Sequence, residues 1–194
     1  MNHDITLTRD ALTLRPLDPE VDASALRGIV DQDTWAGMSS PLPATDAEMT
    51  AHLRDLTGKP DLLAFSVLRD GELVGRTCYY DVVGGIRVDI GNTIYGREVW
   101  GTMVNPTCKL LLLTHAFEQL EVHRVGMRCD HRNARSHAAI RKLGATFEGT
   151  LRCFRPAADG TVADVDYFSV LREEWPQVRA GLEQRLEGWQ RPAG

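Results

Sequence analysis

The run from Val88 to Phe117, VDIGNTIYGREVWGTMVNPTCKLLLLTHAF, admits few folds. Val88, Ile90 and Ile94 fall on one face, with Asp89, Gly91 and Thr93 on the other, the period of a sheet strand. Gly96 and Gly101 mark a turn that permits close backbone approaches. Asn105 directly before Pro106 reads as an N-cap followed by the first helical position. Leu110, Leu113, Ala116, Phe117 and Leu120 then recur at helical spacing. A strand feeding a glycine turn and a helix start presents unpaired N–H groups at the positive end of a helix dipole. That end suits an anion, most often a phosphate.

The spacing Gly96 to Gly101 matches a Walker A loop, but Thr102 and Met103 follow where that loop has Lys and Ser/Thr. There is no G-x-G-x-x-G either. The stretch equally fits a tight α/β connection that binds nothing, so the rest of the chain has to choose.

The 194 residues suffice for one domain, expected to span 1–194 with a core over about 12–175. A net charge of -5 argues against a nucleic-acid partner and mildly favours a basic or weakly charged acceptor. No apolar run is long enough for a membrane span, and the polar N-terminus is unlike a signal peptide. Cys78, Cys108, Cys129 and Cys153 show no C-x-x-C pairing, so reduced thiols, a cytoplasmic location and no metal are expected.

In chain order, 11–16 predicts an opening strand and 18–30 a helix. Residues 31–43 read as loop, with Trp35 either a packing anchor or a wall of a ligand cleft. Thr45 and Glu48 form a capping-box pattern before a helix over 46–56. Two β-rich runs, 62–69 and 72–83, flank Asp70-Gly71, a hairpin signal. After the organising unit, 124–129 predicts a strand, Asn133 caps a helix to Leu143, and strands follow over 147–154 and 165–171. An amphipathic helix over 176–189 and a short tail at 191–194 end the chain. The two strand–helix units imply parallel strands whose carboxyl ends bracket one ligand.

These elements, with Trp100-Gly101-Thr102, Val104-Asn105-Pro106, Lys109-Leu110-Leu111-Leu112, His115-Ala116-Phe117-Glu118, Asn133-Ala134-Arg135-Ser136 and Lys142-Leu143-Gly144-Ala145, resemble the GNAT acetyltransferase superfamily, nearest its RimJ/RimL-type N-acetyltransferases. The likeness runs from about Leu12 to Trp175. It implies an α/β (α+β) GNAT fold, with one mixed sheet of about seven strands, a V-shaped splay between two parallel strands and helices on both faces. It implies acetyl-CoA as cofactor, held by Ile94, Trp100, Gly101, Thr102, Val104, Asn105, Lys109, Asn133, Arg135 and Ser136. The acceptor it implies is a primary amine, on a protein N-terminus or a small molecule, attacking directly in a ternary complex. A backbone N–H at the end of strand 88–95 would hold the oxyanion. Ser136 would serve the leaving sulfur, in place of the tyrosine many members use.

Glu98 stands where the phosphate turn usually has a cation or amide, and Met103 where it has a small residue. Glu98 and Asp89 are the candidate bases, and Trp35, Tyr79 and Tyr80 the candidate acceptor wall. Two alternatives accompany this reading: a non-catalytic acyl-CoA-binding module, and an enzyme for a bulkier acyl group such as succinyl. A homodimer is expected from apolar strands near the C-terminus.

Overall fold

The computed structural model describes residues 3–190; the tail 191–194 lies outside them. Eight strands form one sheet in the order β1-β2-β3-β4-β5-β6-β8-β7. The strands are β1 Leu7–Arg9, β2 Leu12–Pro16, β3 Leu63–Arg69, β4 Glu72–Val83, β5 Arg87–Tyr95, β6 Arg124–Asp130, β7 Thr146–Pro156 and β8 Val162–Leu171. The sheet thus has eight strands where about seven were expected. The extra one, β1, is three residues in a polar segment, too short to show a period.

The helices are α1 Pro19–Ile29, α2 Gln32–Trp35, α3 Asp46–Thr57, α4 Val104–Glu118, α5 Ala134–Lys142 and α6 Trp175–Gln190. One turn of helix, α2, interrupts the stretch read as loop, held by Asp31 and Thr34 in a reciprocal cap. Thr45 accepts from the Glu48 N–H as expected, but the Glu48 carboxylate reaches the Ala44 N–H. Asp70 and Gly71 both have positive φ, the conformation a two-residue hairpin of this twist demands.

Helices cover both faces. On one, Val88, Ile90, Leu112, Leu113, Phe117 and Trp175 join α4 and α6 to the sheet. On the other, Leu26, Trp35, Leu53, Cys78, Tyr80 and Ile94 pack beneath α1 and α3. Burial of these side chains contributes roughly 1.5–3 kcal/mol each before entropy is subtracted.

Only β5 and β6 run parallel. Their pairing starts at Arg87 opposite Arg124 and stops at Ile90 opposite Met127. The cause lies on the other edge of β5. Against β4, Cys78 faces Gly91 but Arg76 faces Ile94, so β5 carries an extra residue there. Asn92 takes φ 48°, and its carbonyl accepts 3.0 Å from Nη1 of Arg76, which is buried. The bulge turns β5 away from β6, and the splay opens a cleft.

Candidate active site

The cleft has a volume of about 480 Å³ and runs from the α4 start, past the splayed ends of β5 and β6, to the loop after α2. At one end, α4 begins at Val104, so Asn105 is its second residue and not the expected cap. Met103 occupies the cap position and supplies no side-chain acceptor. The displacement arises because Gly101, at φ 73°, turns the chain early. Thr102 ties the turn internally, donating to the Val99 carbonyl at 2.7 Å and accepting from Val104 N.

Two cations border this end without a carboxylate partner among the described residues. Arg135 lies 3.5 Å over the Trp100 ring. Lys109 is buried and donates to Thr93 Oγ1 at 3.2 Å; burial lowers its pKa to about 8. Lys109 lies deeper than the helix start, under the bulge of β5. Arg97 is instead consumed by Asp31, at 2.6 Å, and by Asp33. An uncapped helix start beside Gly101, flanked by two unneutralised cations, suits a diphosphate.

At the splay, α5 presents Ser136, Ala139, Ile140 and Leu143 to the cleft, the face read from the sequence. Asn133 caps α5, accepting 2.9 Å from the Ser136 N–H. The Ser136 hydroxyl makes no hydrogen bond among the described residues, so it is free toward the cleft. Cys129 also lines the cleft, but burial pushes its thiol up to about 12, which leaves little nucleophilic thiolate.

The candidate residues divide by position. Ile94, Trp100, Gly101, Asn105, Lys109, Asn133, Arg135, Ser136 and Tyr80 line the cleft; Thr102, Val104, Glu98, Asp89, Trp35 and Tyr79 do not. Trp35 is fully buried and donates to the Ser40 carbonyl, an anchor for the loop and not a wall. Tyr79 points to the opposite face, where its hydroxyl donates to the Leu112 carbonyl. Consecutive strand residues alternate faces, so only one of Tyr79 and Tyr80 can meet the cleft. Glu98 is exposed and its carboxylate folds back against Gly96, clear of the phosphate end.

Asp89 lies just behind the wall, on the Tyr80 face. It sits against Gly126, where an added Cβ would overlap its carboxylate. It has no hydrogen bond or ion pair among the described residues. Burial raises its pKa, with Arg128 opposing. Arg128 and Arg155 also line the cleft, and the sequence pattern singled out neither. Strand alternation from Gly126 was the one available signal for Arg128.

Cys78, Cys108 and Cys129 are buried with thiols pushed up to about 11, 12 and 12, whereas Cys153 is exposed. Titration of the native protein with an aromatic disulfide should therefore show one fast thiol and three that react only on unfolding. Two fast equivalents would place Cys129 in open solvent and contradict the packing of β6.

A sheet parted between two parallel strands, with an anion grip at one end of the cleft and an open groove at the other, defines an acyl-carrier transferase. The family model described as "Acetyltransferase (GNAT) domain" matches residues 11–146. A Bacillus subtilis (strain 168) protein named "Putative ribosomal N-acetyltransferase YdaF" is 26% identical over 177 residues, covering 84% of this chain and 93% of its own. The crystal structure of an acetyltransferase from T. thermophilus is 34% identical with TM-score 0.88, covering 96% of this chain and 99% of its own. Mycobacterium smegmatis RimJ in complex with CoA-disulfide shares the fold at 24% identity and TM-score 0.75, covering 93% and 92%. The chain belongs to the GNAT acetyltransferase family. It is accordingly an N-acyltransferase with acetyl-CoA as cofactor.

Proposed function

We propose that this enzyme acetylates a primary amine, on a small molecule or a peptide N-terminus, by direct attack within a ternary complex. The observation that carries the reading is the end of β5–β6 pairing at Ile90 and Met127, which leaves backbone groups unpaired beside the Ser136 hydroxyl. Acetyl-CoA supplies an activated thioester. Gly101, the α4 start, Lys109 and Arg135 bind its anionic end; Asn133 and Ser136 border the arm. An unpaired N–H of β5 beyond Ile90 is the candidate oxyanion donor. Ser136 holds a proton at Oγ for the departing sulfur. Asp89 takes the amine proton through a water, and is favoured over Glu98 because Glu98 faces solvent. Direct attack is favoured because Cys129 keeps its proton.

We further propose one domain acting in the cytoplasm as a homodimer. No helix among the described residues is long and apolar enough to cross a membrane. Phe147, Leu151 and Phe154 are exposed on β7, an edge strand, which supports self-association. A monomer mass in sedimentation would remove the dimer.

Thiol release from acetyl-CoA across an amine panel tests the activity. Turnover should appear with at least one amine, and Ser136→Ala should lower kcat about tenfold or more with little change in the acetyl-CoA KM. Binding of CoA without turnover of any amine would favour the non-catalytic module. Turnover with succinyl-CoA but not acetyl-CoA would favour the bulkier acyl group.

A further inference from the structure

Beyond the splay, the α1/α3 face of the sheet carries a guanidinium held in place by three rings. Arg128 on β6 stands opposite Tyr167 on β8, and its Nη1 donates 2.7 Å to the Tyr167 hydroxyl. Its Cζ is 4.6 Å from the Tyr80 ring centroid, 5.7 Å from that of Tyr167 and 5.8 Å from that of Phe154. Stacking on aromatic faces fixes the plane of an arginine without using its donors. Nε and Nη2 of Arg128 make no hydrogen bond among the described residues, and its nearest carboxylate, Asp81, is 3.9 Å from Nη1.

Arg155 on β7 reaches across to the same cleft. It donates to the Pro156 carbonyl and, at 2.9 Å, to the Gly37 carbonyl of the loop after α2. It has no ion pair among the described residues. Desolvation lowers its pKa, Asp130 opposes this, and Arg128 lowers it further, so the two guanidiniums feel each other as like charges. Of the acidic side chains on the cleft wall, Asp130 is already engaged by Arg132, at 2.8 and 3.0 Å. Asp61 and Asp81 remain, and Asp81 is half exposed.

Two oriented, mutually repelling guanidiniums beside an open groove are stabilised by a planar anion between them. Resting on the acyltransferase reading above, we propose that Arg128 and Arg155 bind an anionic group, carboxylate or phosphate, on the acceptor amine. Acceptors then carry both charges, as amino acids and phosphorylated amines do. Asp81 lies on the same wall, placed to receive the ammonium before its proton leaves. The overall charge of -5 pointed toward a basic or neutral acceptor. Local geometry outweighs it, because net charge acts over a screened distance and these donors act in contact.

Matched pairs of acceptors test this: γ-aminobutyrate against butylamine, and phosphoethanolamine against ethanolamine, each with acetyl-CoA. The anionic member should have kcat/KM about ten- to hundredfold higher, the worth of a charge-assisted hydrogen bond pair. The two pairs separate carboxylate from phosphate. Arg128→Gln should collapse that ratio toward one through KM, and Arg128→Lys should restore part of it. Arg155→Gln serves the same reading where Arg128→Gln does not fold. Equal or better use of the neutral amines overturns the proposal while leaving acyl transfer intact. So does a variant that slows both members of a pair alike. Without turnover of any amine, the acyltransferase reading fails; calorimetric titration of γ-aminobutyrate and phosphoethanolamine into the CoA-saturated protein then decides, absence of heat overturning the anion site.

Discussion

Replacing Asp89 by Asn should lower kcat about a hundredfold or more while leaving the protein at least as stable. General-base catalysis by a positioned carboxylate typically contributes 10²–10⁴-fold, and Asp89 is the buried carboxylate nearest the acceptor side of the splay. The pH dependence carries the distinguishing information. Burial raises the Asp89 pKa, with Arg128 only partly offsetting it. The working form is the anion, so activity should rise with pH through a limb lying above the ordinary carboxylate range, and Asp89→Asn should remove that limb. The stability sign runs opposite to a salt bridge. A carboxyl whose folded pKa is raised costs stability as pH climbs past its unfolded value, because the folded state resists ionisation. Asn has the same shape without the charge, so at neutral pH the variant should melt no lower than the parent. A kcat within about threefold of the parent, or an unchanged acid limb, would remove Asp89 as proton acceptor. Gly126 belongs to the same device: a Cβ there would overlap the carboxylate, so Gly126→Ala should displace Asp89 and depress kcat without touching the cleft wall.

Asp22→Ala should be the most damaging single change to stability outside the site, at about 3 kcal/mol. Asp22 is buried at the start of α1 and accepts four hydrogen bonds: 2.9 and 2.5 Å from Arg15, 2.6 Å from Ser66 Oγ and 2.9 Å from the Asp18 N–H. It joins β2, α1 and β3 at one point. Removing one partner of a buried pair costs roughly 3–5 kcal/mol; the lower end applies because the Arg15 side chain is 31% exposed and can turn to water. For a chain of this size that is about 6–12 °C in Tm. Burial alone would raise the Asp22 pKa, but the hydrogen bonds from Arg15 and Ser66 outweigh it, and the folded pKa is lowered. A lowered folded pKa gives stability that is present above the unfolded value of about 3.9 and lost as pH falls through the folded one. The parent should therefore lose stability in this acid window, and Asp22→Ala should show a flatter profile there. A melting temperature within about 2 °C of the parent would show that the pair contributes nothing net.

Much of the fold was legible because its signals are local. The Asp70-Gly71 hairpin, the Thr45 and Asn133 caps and the apolar stripe of α4 each depend on residues a few positions apart. The face of α5 that borders the cleft was readable for the same reason. Misses occurred where a local signal had a nearby competitor. Asn105-Pro106 looked like a cap and first turn, yet Gly101 bends the chain early enough for Val104 to start the helix. Tyr79 and Tyr80 were both assigned to the acceptor, although alternation allows one.

What the sequence determined by itself was the order of strands and helices, the glycine turn before α4 and hence the family, since backbone geometry and hydrophobic period are set within short windows. What only the tertiary structure decided was the site's charge. Arg76 pins the bulge in β5 from β4, Arg128 is framed by rings from three other strands, and Glu98 turns away from the phosphate end. Each of these depends on partners far apart in the chain, and electrostatic strength is fixed by burial and distance, which no spacing along the chain encodes.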